Sequence, residues 1–207
     1  MGIPKRLAHC RIDLKPAALA LLGLLVMLPS LSNRFIYYDD IYIVEQFMGP
    51  WPDTLLNIFR RGALYDFLPI ANLTFLLDRL VADFAPWFTR LFTLVCYGLT
   101  AYPAYLFAQE LCRNERHRFV ATLTTCIFMV HPLHCEVACW SVSRKYVLFT
   151  FFALWTFLLD LRASEAQRTF QRQEQTHLRL ASILMMLLAL GCQTFALVVP
   201  FASAAML

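Results

Sequence analysis

Apolar residues fall in long unbroken blocks along this chain rather than on the one-sided faces of amphipathic helices. The blocks are Pro16–Ser32, Pro86–Gln109, Phe119–Val130, Val147–Leu161 and Leu180–Leu207. A helix needs about 20 mostly apolar residues to cross the hydrocarbon of a bilayer. A fused soluble core of this size would rarely need five such blocks. The pattern predicts an all-α, polytopic transmembrane helical bundle of about five spans, with residues 1–207 forming a single transmembrane domain. The third and fourth blocks are short and must borrow turns from their flanks. The first block could be read as a signal peptide, but its apolar run is longer than a usual signal core. Pro29–Asn33 is also a poor cleavage site, which favours a retained span.

Between the first two blocks lies a long outer segment, Asn33–Ala85. Thr54–Arg61 places Leu55, Ile58 and Phe59 on one helical face. Leu68–Val81 is a second amphipathic stretch, with Asp78 and Arg79 at its polar end. Both are expected as interfacial helices lying in the membrane plane, with a short re-entrant piece as the alternative for the second. Phe35, Tyr37, Tyr38 and Tyr42 suit the interface, where amphipathic rings concentrate.

Composition strengthens the membrane reading. Hydrophobic residues make up 59% and charged residues 15% of the chain, against about half and about a quarter in soluble domains. The mean hydropathy is +0.57. The basic residues are unevenly placed: Lys5, Arg6, Arg11 and Lys15 precede the first block, Arg113, Arg116 and Arg118 follow the second, and Arg162, Arg168, Arg172 and Arg179 follow the fourth. Cytoplasmic loops carry excess Lys and Arg, so these three segments are expected inside, with the N-terminus cytoplasmic. Arg162–Arg179 reads as a solvated helix or flexible loop facing anionic membrane lipids. Its basic residues alternate with acids and lack aromatic neighbours, so nothing there points to nucleic acid. The seven cysteines show no Cys-x-x-Cys spacing, although Cys135 and Cys139 are set to share a helix face.

Two outer elements hold candidate chemistry. Asp39 and Asp40 adjoin the end of the first block. One carboxylate of such a pair can accept a proton from an attacking hydroxyl, while the other orients it or binds a divalent metal; a helix cap is the plainer use. The second element runs from His131-Pro-Leu-His-Cys-Glu136 to Arg144-Lys145. Pro132 loosens the helix there. His131 and His134 share a face if the turn stays helical, and Arg144 and Lys145 add two cations suited to an anionic lipid head. The plainer use of these residues is helix capping and snorkelling to headgroups.

The stretch His131-Pro-Leu-His-Cys-Glu-Val-Ala-Cys-Trp-Ser-Val-Ser-Arg-Lys-Tyr-Val-Leu resembles a luminal loop of the multi-pass GT-C glycosyltransferases that usually carry C-terminal tetratricopeptide repeats. That group includes endoplasmic-reticulum O-mannosyltransferases and bacterial homologues. Tyr38-Asp-Asp-Ile-Tyr-Ile, Leu68-Pro-Ile-Ala-Asn-Leu-Thr-Phe-Leu-Leu-Asp and Leu190–Phe201 resemble further pieces of the pattern, in order. The resemblance implies sugar transfer from a polyprenyl-phosphate donor to a protein or glycan acceptor on the non-cytoplasmic face. It implies Asp39 or Asp40 as the catalytic base. Arg144 and Lys145 would hold the donor phosphate, in a pocket shaped by His131, His134 and Glu136. It names no certain cofactor. The chain departs from the pattern at Ser143 and Tyr146, which replace acids, at Gln193, which replaces a lysine, and at Phe88, Arg90 and Phe92 in the second block. Family members have about twice as many spans, so the chain is expected to match the N-terminal portion of a larger scaffold. The Arg-Lys form of the motif favours a bacterial inner membrane over the endoplasmic reticulum. In a eukaryote, Asn72-Leu-Thr would fit a glycosylation acceptor. The competing expectation is a non-catalytic membrane protein that keeps the scaffold and binds a lipid phosphate or a partner. A transporter is disfavoured, because the blocks carry few central ionisable residues.

Overall fold

The computed structural model describes residues 13–35, 39–59, 67–112 and 116–206, and among them every regular element is helical. Helix α1 (Lys15–Met27) starts with Pro16 in its first turn, where a missing N–H costs no helical bond. It continues into a 3-10 turn, Leu28–Ser32. Short helices α2 (Asp39–Phe47) and α3 (Trp51–Asn57) precede α4 (Pro69–Ala82). Helices α5 (Pro86–Leu99) and α6 (Ala101–Leu111) form one rod jointed at Thr100. Then come α7 (His117–Val130), α8 (His134–Cys139) and a 3-10 turn, Ser141–Ser143. The long helices α9 (Arg144–Arg168) and α10 (Arg172–Cys192) form a hairpin. A 3-10 turn, Thr194–Val198, and α11 (Val199–Met206) close the described chain.

Four stretches are long and apolar enough to cross a membrane: Lys15–Ser32, Pro86–Leu111, Ser141–Arg168 and Arg172–Cys192. Their outward leucines, such as Leu21 and Leu25 on α1 and Leu184 and Leu187 on α10, are more than half exposed. Water penalises such surfaces, whereas lipid tails match them.

The third and fifth blocks behave differently from the sequence expectation. Helix α7 has 14 residues, about 21 Å at 1.5 Å per residue. It stops because His131 precedes Pro132 and is pushed into extended backbone (φ −65°, ψ 131°). The fifth helix begins at Arg172, well before its apolar block, and ends at Cys192. Gln193 is extended there (φ −159°, ψ 133°), and its side chain accepts from the Thr194 N–H at 2.9 Å. The charged stretch Arg162–Arg179 is therefore the ends of two helices, joined by the turn Thr169–Gln171.

The first outer segment is built onto the bundle. Helix α4 packs against α10, α5, α9 and α2. Gly191 makes that approach possible, since a Cβ there would stand 2.5 Å from Ile70 Cγ1. Helix α3 is shorter than the expected 54–61, and its inward residue is Thr54. Ile58 is buried, but Leu55 and Phe59 are exposed. A polar network explains the inversion. The Thr54 hydroxyl lies 3.0–3.3 Å from the Phe47, Gly49 and Pro50 carbonyls. Arg79 donates to Thr54 Oγ1 at 2.6 Å and to the Gly49 and Phe47 carbonyls. Asn72 is buried and donates to the Ile58 carbonyl at 3.3 Å, so it is no accessible glycosylation acceptor. Lys5, Arg6, Arg11, Tyr37, Tyr38, Arg60, Arg61 and Arg113 lie outside the described residues.

The described residues of the basic segments gather at one end of the bundle. Tyr105 donates to Asp13 at 2.8 Å, Arg162 pairs with Glu110 at 3.1 Å, and Arg179 pairs with Asp160 at 3.1 Å. The opposite end collects α2, α4, α8 and the first turns of α5 and α9.

Candidate functional site

The end opposite the basic segments is organised around Arg144. The 3-10 turn Ser141–Ser143 delivers this residue to the first position of α9, where it is fully buried. Its Nη2 donates to Asp78 Oδ2 at 2.6 Å and to the Thr89 carbonyl at 2.8 Å. Nε donates to Thr93 Oγ1 at 3.0 Å, and Nη1 reaches the Thr74 carbonyl and hydroxyl. The rings of Phe75 and Phe92 stand 4.7 and 4.8 Å from the guanidinium carbon. All three nitrogens of this five-donor group thus have internal acceptors. Arg144, expected to hold a ligand phosphate, instead clamps α4 and α5 to α9. Asp78, expected at a solvated helix end, is its buried counter-ion. Burial pushes the Asp78 carboxyl up, while the Arg144 charge and hydrogen bond pull against it.

The His131–Ser143 element folds back into the bundle. Tyr97 lies eleven residues along the α5–α6 rod from Pro86, about 16 Å. Its hydroxyl donates to the Met129 carbonyl at 2.9 Å and stands 3.2 Å from His134 Nδ1. The His134 ring packs edge-on against Phe128 (4.6 Å) and Tyr97 (6.0 Å). Burial, and then the neighbouring His131, lower the His134 pKa, opposed by a hydrogen bond to the Phe128 backbone. The turn between the two histidines is not helical: His131 ends α7 and its Nδ1 accepts from the Leu133 N–H at 3.2 Å. The two rings still lie 6.1 Å apart. Glu136 is exposed on the outward side of α8. Lys145 lies 5.4 Å over the Tyr146 ring. Cys135 and Cys139 do share a helix face, with sulfurs 3.9 Å apart, and the Met27 sulfur lies 3.8 Å beyond Cys139.

The acidic pair is split by the start of α2. Asp40 is buried, while Asp39 is partly exposed. Both sit in the first turn, where the positive end of the helix dipole favours carboxylates. Helix α2 packs on the Ser141–Ser143 turn, so the acidic pair, the histidine element and the start of α9 share one end of the bundle. Among the described residues no group of three His, Cys, Asp or Glu side chains converges as a metal site.

Arg90 had no role in the sequence reading beyond marking a departure from the family pattern. It is 1% exposed, and its Nη2 donates to the Arg34 carbonyl at 2.6 Å. The Phe35 ring stands 6.0 Å from its guanidinium carbon. A charged residue four positions after Pro86, at the head of a membrane-length helix, was the available signal. The fold and this site define a helical membrane bundle with a polar, cation-lined end. No family model, curated protein or solved structure matches the chain.

Proposed function

We propose that the chain is the N-terminal part of a GT-C-type membrane glycosyltransferase. It moves a sugar from a polyprenyl-phosphate donor to a protein or glycan acceptor on the non-cytoplasmic face. In this reading α7 completes a five-span topology, the basic end faces the cytoplasm, and the membrane is a bacterial inner membrane. Asp39 or Asp40 is the base that takes the proton of the acceptor hydroxyl. His131, His134, Glu136 and Lys145 shape the donor side. The supporting observation is the packing of α2 on the Ser141–Ser143 turn, which brings acids and bases from distant segments to one end. A base and a cation near one substrate serve such a transfer, because negative charge grows on the leaving phosphate as the acceptor attacks.

A second reading is favoured by one observation. Arg144 is fully committed to Asp78 and its neighbours, which takes away the cation that the family pattern sets against the donor phosphate and suits a non-catalytic chain that keeps the scaffold. The two readings part on one experiment. In membranes supplied with a polyprenyl-phosphate sugar, an Asp39→Asn, Asp40→Asn double variant should lose transfer by at least about a hundredfold, the lower range for removal of a general base. Transfer at the unsubstituted rate would overturn the catalytic assignment.

A further inference from the structure

Three sulfurs meet where α8 packs on the end of α1. Cys135 and Cys139 lie one helical turn apart on α8, with their Sγ atoms 3.9 Å apart. The Sδ of Met27, the last residue of α1, lies 3.8 Å beyond Cys139 Sγ. Met27 and Cys139 are 112 residues apart in sequence, so the fold assembles the group. Both cysteines are free thiols.

The surrounding packing fixes the row. The spacing of four puts both thiols on one face of α8. Met27 is 5% exposed and belongs to the core cluster of Leu94, Tyr97, Met129 and Ala138, against which Cys139 also packs. Its sulfur therefore has little freedom to turn away. Cys135 is exposed, which leaves the row open to solvent at its other end.

This spacing suits a shared ion. Metal–sulfur bonds of about 2.3 Å, meeting at about 110–120°, set their sulfurs about 3.8–4.0 Å apart. The donor set decides which ion. Zinc takes four ligands drawn from Cys, His, carboxylate and water, and among the described residues no third His, Cys, Asp or Glu joins this pair. Two thiolates with a thioether are soft donors, the kind that select Cu(I). Burial and the neighbouring Cys135 raise the Cys139 thiol above its usual value, while the Ser30 hydroxyl and the Arg90 charge pull it down. Those last two neighbours would steady a metal-bound thiolate, because both favour its charged form.

We propose that Met27, Cys135 and Cys139 form a Cu(I) site. Two S–H bonds break, and two copper–thiolate bonds and one copper–thioether bond form. Both protons pass to solvent. Copper enters already reduced, so no electron moves. The site is independent of the sugar-transfer reading.

The test uses the full chain in detergent micelles, held reduced, with Cu(I) offered in competition with a chromogenic Cu(I) chelator. The unsubstituted chain should retain one copper more than the Cys135→Ser, Cys139→Ser variant. Cys135→Ser alone should lose the same copper, and its exposed position makes misfolding no explanation. Met27→Leu conserves volume in the core; it should weaken the site by about tenfold or more, at least the loss typical of changes behind the ligands. Cys112→Ser, outside the trio, should leave the copper in place, and an excess of Zn(II) should not displace it. X-ray absorption at less than one equivalent should show sulfur neighbours alone, three in the unsubstituted chain and two in Met27→Leu. Equal copper retention by the double cysteine variant would overturn the proposal. So would displacement by Zn(II), or a nitrogen or oxygen ligand in place of the thioether.

Discussion

Replacing Asp78 with asparagine removes the carboxylate that pairs with Arg144 and changes little else in shape. The guanidinium would keep Thr93, Thr74 and the Thr89 carbonyl as neutral acceptors, and Phe75 and Phe92 as ring neighbours. None of these carries a negative charge. Both partners are fully buried, so water does not screen the loss. Removing one member of a buried pair costs about 3–5 kcal/mol, mainly because the other charge is left uncompensated. For a chain of this size, that converts to a fall in melting temperature of roughly 6–20 °C. The assay is thermal unfolding in detergent, followed by the loss of helical circular dichroism. The double variant Asp78→Leu, Arg144→Met supplies the control. It removes both charges and keeps apolar volume, so it should recover most of the loss, as replacement of buried pairs by packed apolar residues is often neutral or better. A melting temperature for Asp78→Asn within about 2 °C of the unsubstituted chain, under the same conversion, would refute the view that this pair holds α4 and α5 to α9.

Two further outcomes follow from the packing and the titration of this end. Gly191→Val should loosen α4 from α10, because even a Cβ would meet Ile70 at 2.5 Å; overpacking of this kind costs about 1–3 kcal/mol, and faster proteolysis of the 33–85 segment would report it. Gly23→Ala, where the nearest atom is the flexible end of Met129, should be milder, and equal effects would refute the distinction. The lowered His134 pKa makes stability fall as pH drops below about 6.5: the unfolded histidine, titrating near 6.5, then binds a proton that the folded one resists. His134→Gln should flatten that part of a melting-temperature profile measured from pH 5 to 8, and an unchanged slope would assign it to another group.

Much of the architecture was legible from local pattern, and the exceptions have physical causes. The apolar blocks that open at Pro16 and Pro86 became helices with that proline in the first turn. The dipeptide His131-Pro132 ended α7, because the residue before proline is driven from helical backbone. Hydropathy misplaced the last long helix: α10 begins in a charged stretch that packs on α9 and breaks at Gln193, inside the apolar block. The candidate site was only half legible. Asp39 and Asp40 are adjacent in sequence, yet one is buried and one is not. Asp78 and Arg79 resembled a solvated helix end, but adjacent helical side chains point about 100° apart. One turns to Arg144 and the other to the α2–α3 carbonyls.

The sequence by itself determined the class of protein. Apolar runs long enough to cross hydrocarbon are a property summed along the chain and need no partner. Only the tertiary structure decided what each buried charge does. Arg144 meets Asp78 across 66 residues, and Arg90 meets the Arg34 carbonyl across 56. Whether an arginine is satisfied depends on acceptors that other segments bring within about 3 Å, the reach of a hydrogen bond. That is why two arginines in apolar surroundings differ in the folded bundle: Arg144 has an acceptor for every nitrogen, whereas Nε and Nη1 of Arg90 have none among the described residues.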